Sequence, residues 1–184
     1  MEPGSITYVT LGSILGAVWP DAFERVVEAV AHLGKTVVVT VGRGGDCKAL
    51  ADRFPRVRVA NYIPQRFVLD RAALVICHGG INTVLGALSH GVPVLVLPTE
   101  QSDQPWSAER CRQLGVGLSI DIEQADVSTI RESASTLNES SYRQAATRWK
   151  DEMLRLAPME DAVELLLQHA SHRGWRGERM EGSP

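Results

Sequence analysis

The chain has 184 residues, 44% of them hydrophobic and 22% charged, with a formal net charge of −3. That is enough apolar material for one well-buried core and too little length for two ordinary domains. The near-neutral, scattered charge gives no electrostatic footprint for nucleic acid, and no apolar stretch approaches the length of a transmembrane helix.

The first residues lack a basic segment followed by an apolar one, so no signal peptide is expected. Cys47, Cys77 and Cys111 are far apart, odd in number and form no CxxC pair. Reduced, mostly buried thiols in a cytoplasmic protein are expected, not a disulfide framework or a structural zinc site.

In chain order, short β-branched runs alternate with segments of helical period. The predicted strands are Ile6 to Leu11, Thr36 to Val41, Val57 to Ala60, Leu74 to Cys77, Val94 to Leu97 and Gly117 to Ile120. Between the first two, Phe23, Val26, Val27 and Val30 mark one face of a helix over Pro20 to Leu33, which Gly34 stops. Further helices are expected to start near Pro64, Asn82 and Gln104. The runs are uniformly apolar, as in a parallel sheet covered on both faces. Strand, loop and helix in repetition predict a doubly wound, Rossmann-like α/β domain. After Ile120 the pattern is purely helical: Val127 to Leu137, Ser140 to Leu156 and Pro158 to His169. The domain is expected to cover residues 1–170. Residues 171–184, rich in Gly, Arg and Glu, read as a loose tail.

Ligands of such sheets bind beyond the carboxyl ends of the strands, which directs attention to the loops after Leu11, Val41, Ala60, Cys77 and Leu97. The strongest signal is Cys77-His78-Gly79-Gly80-Ile81-Asn82-Thr83. Adjacent glycines let the backbone approach an anion, and the helix that follows offers unpaired N–H groups and a positive partial charge. Asn82, Thr83 and His78 add side-chain donors. The same residues suit a tight strand-to-helix turn, with Asn82 as N-cap and His78 as a core histidine; their coincidence at the mouth of the sheet favours a phosphate site. Gly12-Ser13 and Gly42-Arg43-Gly44-Gly45 follow the first two strands on the same edge, although neither has P-loop spacing.

With these residues in view, the chain resembles a known family. Asn61-Tyr62-Ile63-Pro64-Gln65, His78-Gly79-Gly80-Ile81-Asn82-Thr83, Gly91-Val92-Pro93 and Asp103-Gln104 follow the donor-site signature of family 1 glycosyltransferases, two-domain GT-B enzymes. The bacterial antibiotic and carotenoid branch is the most similar, and the resemblance spans roughly Tyr8 to Ile120.

The resemblance implies that Tyr62, Ile63 and Gln65 frame the nucleotide base, with the ring stacking and the Ile63 backbone reading its edge. It implies that His78, Gly79, Gly80 and Thr83 hold the diphosphate, that Asn82 supports the loop, and that Ser13 reaches the phosphates from the first loop with Arg43 in possible support. Asp103 and Gln104 would bind the donor sugar, although both also suit a helix N-terminal cap. No metal and no cofactor are implied beyond a UDP- or dTDP-sugar donor, because backbone donors and the histidine meet the diphosphate charge.

Two positions depart from the signature. Tyr62 stands where plant members carry Trp, and Gly86 where many members carry a Glu on the ribose hydroxyls. Losing such a charge-assisted bond weakens binding by about 10- to 100-fold. Trp106, Trp149 and Trp175 read as packing or surface anchors. The Arg173 to Arg179 cluster reads as a solvated tail, with contact to anionic lipid the less favoured alternative.

In this family the acceptor pocket and the catalytic base belong to the N-terminal domain. The expected sheet begins almost at Met1, so no catalytic residue is assigned to this chain. The expectation is the donor half of an inverting transferase acting on a hydroxyl of a small lipophilic acceptor. It would be a fragment or, second, one subunit of a split enzyme that resembles the two-subunit N-acetylglucosaminyltransferase of dolichol-linked sugar synthesis. A nucleotide-sugar epimerase and a non-catalytic binding module are the alternatives. The expected partners are a nucleotide-sugar donor and a separate acceptor-binding domain or subunit, with no nucleic acid and no membrane.

Overall fold

The structure, a computed structural model, describes residues 2–12, 19–100, 103–156 and 159–172. Its elements are β1 (Ile6–Thr10), α1 (Pro20–Val30), β2 (Thr36–Thr40), α2 (Cys47–Arg53), β3 (Arg58–Ala60), α3 (Gln65–Leu69) and β4 (Ala72–Cys77). They continue with α4 (Ile81–Ser89), β5 (Val94–Val96), α5 (Gln104–Gln113), β6 (Gly117–Ser119), α6 (Val127–Thr136), α7 (Ser140–Leu154) and α8 (Met159–His172). All six predicted strands form, within two residues of their expected ends.

The strands make one parallel sheet in the order β3-β2-β1-β4-β5-β6. The chain builds outward from β1 in one direction, then returns to β4 and builds the other way, so the order reverses between β1 and β4. Alternate residues of each strand feed opposite faces. Val9, Leu11, Val39, Ile76 and Leu95 pack with α1 and α6. Ile6, Tyr8, Val38, Val75, Cys77 and Val94 pack with α3, α4, α5 and α7. Burial on both sides is why the strands read as unbroken apolar runs. On the second face α7 crosses back over α4, burying Ala145 and Ala146, while Arg143 Nη2 donates to the Ala73 carbonyl (2.9 Å).

Helix α2 has no counterpart in the sequence pattern. It has one buried residue, Leu50, too little to show a helical period. Its first turn is fixed by the Asp46 carboxylate, which accepts from the Ala49 N–H at 2.9 Å. At the other end of the chain, α8 presents Val163, Leu165, Leu166 and Leu167 to solvent, and Leu154 and Leu156, which precede it, are exposed as well. No helix among the described residues is long and apolar enough to cross a membrane. Beyond His172 the expected tail, with Trp175 and the Arg173 to Arg179 cluster, lies outside the described residues.

Candidate functional site

Register sets the geometry of the sheet edge. Thr10 pairs with Thr40 on one side and with Cys77 on the other. The loops that follow, carrying Gly12, Gly42 and His78, therefore leave the sheet at one level across the switch point. Gly12 and Gly79 have φ of +84° and +94°, backbone that side chains with a Cβ rarely adopt. The first turn runs close to the His78 ring, and the second runs close to β5 and the start of α5. A Cβ on Gly12 would lie 2.9 Å from His78 Cε1, and one on Gly79 would lie 2.8 Å from Val96 Cγ1 and 3.2 Å from the Gln104 carbonyl oxygen.

Helix α4 starts immediately afterwards. Gly80, not Asn82, takes the N-cap position, so the alternative reading of Asn82 as the cap is corrected. Asn82 sits exposed in the first turn, where the chain is already helical. The Thr83 and Val84 N–H groups reach the Gly80 carbonyl (3.0 and 3.2 Å), while those of Ile81 and Asn82 have no intrahelical acceptor. The His78 ring is half-buried between Gly12 and Gly80, with Nδ1 buried and lacking a hydrogen-bond partner. Burial pulls its pKa below the ordinary imidazole value, and the Asp103 charge pushes weakly the other way. The ring is therefore neutral at physiological pH.

Beside this loop lies an open cavity of about 250 Å³ lined by Tyr8, Thr10, Gly12, Thr40, Gly42, Asn61, Tyr62, Ile63, Gln65 and Thr83. The Tyr62 ring stands at its rim, 79% exposed. Its loop is held by Asn61, whose Nδ2 donates to the Gly42 carbonyl (3.1 Å) while the Gly42 N–H donates to the Asn61 carbonyl (3.1 Å). In the wall between, Gln65 Nε2 donates to Thr83 Oγ1 at 3.2 Å. On the floor, the Tyr8 hydroxyl meets Thr40 Oγ1 at 2.9 Å, with Thr10 and Gln65 beside it. Burial raises the Tyr8 pKa, so it stays a neutral hydroxyl.

The structure thus brings Tyr62, Ile63, Gln65, His78, Gly79, Gly80 and Thr83 to one edge. Gly86 is one turn further along α4, its Cβ position 3.3 Å from Leu69 Cδ1 and 3.7 Å from Gln65 Oε1. Asp103 occupies the N-cap position of α5 but makes no capping hydrogen bond with its side chain. Gln104 is buried, and its Oε1 accepts from the Thr99 N–H and hydroxyl (3.0 and 2.9 Å). Arg43 is exposed on the Gly42 loop, and Ser13 lies outside the described residues. Trp106 is 65% exposed on α5, and Trp149 packs partly against the core. Among the described residues no cluster of three or more His, Cys, Asp or Glu is arranged to hold a metal ion. Cys77 and Cys111 are buried, with pKa pushed up to about 12 and about 11, so both are protonated and unreactive.

Sequence reasoning missed Tyr8, Thr10 and Thr40. Their signal was present as hydroxyls within otherwise apolar strands, Thr10 and Thr40 at the carboxyl ends, but only the pairing of β1 with β2 shows that they share a floor.

Residues 24–167 match the family described as erythromycin biosynthesis protein CIII-like, C-terminal domain. The chain belongs to that family. It is a C-terminal domain of the family 1 glycosyltransferases and carries the corresponding part of their GT-B fold. NDP-glycosyltransferase YjiC of Bacillus subtilis (strain 168) is 30% identical over 143 residues, which cover 78% of this chain and 36% of that protein. The solved glycosyltransferase of kitacinnamycin has a TM-score of 0.81 at 29% identity, over 90% of this chain and 43% of that one. Glycosyltransferase VinC, solved in complex with dTDP, has a TM-score of 0.79 at 25% identity, over 93% and 43%. The family member described here spans less than half the length of each of these relatives.

Proposed function

We propose that this domain is the donor-binding half of a glycosyltransferase that moves a sugar from a UDP- or dTDP-sugar to a hydroxyl of a small lipophilic acceptor, with inversion. The observation that carries this reading is the run of one cavity from the anion-receptive start of α4 to the exposed Tyr62 ring. A nucleoside diphosphate has that same order of parts. VinC, a similar domain in a structure with dTDP, supports a pyrimidine nucleotide as the ligand.

In this reading Tyr62 stacks on the base, the Ile63 backbone reads its edge, and Gln65 lines the wall between base and diphosphate. The Ile81 and Asn82 N–H groups, Thr83 and His78 Nε2 face the phosphates. In this assignment the single imidazole proton is carried by Nε2, the nitrogen nearest Gly80, and the buried Nδ1 is left unprotonated. Ser13 and Arg43 approach from the other loops, and Asp103 and Gln104 hold sugar hydroxyls. The acceptor oxygen attacks the anomeric carbon as its bond to the diphosphate breaks. Charge growing on the leaving group is met by preorganised donors without a divalent metal. The acceptor proton goes to a base outside this domain. The exposed leucines of α7 and α8 support a docking face for an acceptor-binding half, on the same polypeptide or on a second subunit.

Calorimetry with UDP and dTDP, in chelator and in magnesium, tests the reading. Association costs about 4–15 kcal/mol before any contact contributes, so micromolar to millimolar affinity is expected, equal in both buffers. No binding at millimolar nucleotide, or binding only with magnesium, overturns it.

A further inference from the structure

We infer that Gln65 sets the direction in which Thr83 donates its hydroxyl proton, making Gln65 a positioning residue for the diphosphate although it touches Thr83 instead. The inference rests on the donor-site reading above.

An amide nitrogen has protons to give and no lone pair to offer, so in the 3.2 Å contact between Gln65 Nε2 and Thr83 Oγ1 the threonine oxygen must accept. A hydroxyl has a single proton. Once its oxygen is held by Gln65, that proton is turned away from α3. Thr83 Oγ1 makes no other hydrogen bond among the described residues. Thr83 is the third residue of α4, 7% exposed, and lines the cavity beside Gly12. Its proton therefore points toward the region served by the free Ile81 and Asn82 N–H groups. A phosphate oxygen there receives a charge-assisted O–H···O⁻ bond.

Two other groups lie beside the amide. Its oxygen points toward Gly86, 3.7 Å from the Cβ position of that residue, and the Tyr8 hydroxyl stands beside the same side chain. The short helix α3 carries the amide at its first residue, and the exposed Asp70 after its end contacts His90 after the end of α4 (3.4 Å). The two helices are thus joined at both ends, and the Gln65–Thr83 contact is the end that faces the cavity.

The test is calorimetry of the 184-residue chain with UDP and, separately, uridine, in wild type, Gln65→Met, Gln65→Glu, Thr83→Val and the Gln65→Met/Thr83→Val double variant. Methionine keeps the length and removes the donor. UDP affinity should fall about 3- to 10-fold further than uridine affinity, and that extra loss should vanish in the Thr83→Val background. Glutamate reverses the bond, taking the Thr83 proton and adding a like charge, so a loss of about 10- to 100-fold for UDP is expected. Equal losses for UDP and uridine, a Gln65→Met loss that persists without the Thr83 hydroxyl, or wild-type UDP affinity in Gln65→Glu would each overturn the inference while leaving the donor site intact. A wild-type chain that binds neither UDP nor dTDP overturns the donor-site reading itself.

Discussion

Gly80 and His78 fit so closely that a Cβ on Gly80 would stand 2.6 Å from Nε2 and 2.9 Å from Cε1 of the ring. On its other side the ring lies 2.9 Å from where a Cβ on Gly12 would stand. Gly80→Ala should therefore displace the imidazole, at a cost of about 1–3 kcal/mol from overpacking. In the proposed site it should also lower UDP affinity by about 10-fold with little change for uridine, since one neutral donor to a charged acceptor is misplaced. Thermal unfolding and calorimetry give the two numbers. Equal loss for both ligands would make His78 a purely structural residue.

The pKa shift of His78 gives a pH prediction with a definite sign. Burial holds the folded-state value below the ordinary 6.5, with Asp103 opposing. The unfolded chain then takes up a proton at higher pH than the folded chain. Stability is unaffected well above 6.5, falls as the pH drops through 6.5, and levels off below the folded-state value. His78→Gln should flatten that part of the acid dependence. Asp103→Asn should extend the loss to lower pH by removing the opposing charge. Melting temperatures between about pH 7.5 and pH 5 check both; an unchanged slope in His78→Gln would rule out His78 as its source.

Tyr62 separates folding from binding. A ring that is 79% exposed supports little packing, so Tyr62→Ala should change stability by less than about 0.5 kcal/mol. If the ring stacks on the base, affinity for uridine and UDP should fall together by about 5- to 100-fold, since such stacking is worth about 1–3 kcal/mol. Unaltered binding of both ligands would place the base elsewhere.

At Gly86 the room for a side chain is bounded by Leu69 and by Gln65 Oε1. Gly86→Ala should be close to neutral in stability, since a helix-propensity gain of up to about 1 kcal/mol is set against a small displacement of Leu69. Without a carboxylate at this position, the wild type should distinguish UDP from dTDP by less than about 3-fold, and Gly86→Glu should favour UDP through its ribose 2′-hydroxyl. Competition between the two nucleotides measures this. A strong wild-type preference would mean that another residue reads the pentose.

Transfer itself should require more than this domain. Incubated with donor and a lipophilic alcohol, the 184-residue chain should yield slow hydrolysis at most, and product should form once a matching acceptor-binding domain is supplied. Effective molarity depends on holding both substrates in one cleft. Asp103→Ala should lower that product yield without changing UDP affinity, if Asp103 contacts the sugar. Efficient transfer by the chain alone would show that it contains its own base.

The doubly wound fold was legible along the chain because the central strands β1, β2, β4 and β5 are buried on both faces and so read as apolar, β-branched runs, each followed by a helical period. The His78 to Thr83 loop was legible for a similar reason: a strand end, a glycine pair and a helix start are neighbours in sequence. Helix α2 was not, because one buried leucine cannot make a period. Nor could sequence decide which residue caps α4: Asn82 has the right chemistry, yet the turn of Gly79 delivers Gly80 to that position first. The floor of the cavity belonged wholly to tertiary structure. Tyr8 and Thr40 are 32 residues apart and meet only because β1 and β2 pair in parallel register, and Gln65 finds Thr83 only because α3 and α4 cover the same face of the sheet. Local backbone chemistry is written in neighbouring residues, whereas a hydrogen bond between elements depends on a register that no single segment contains.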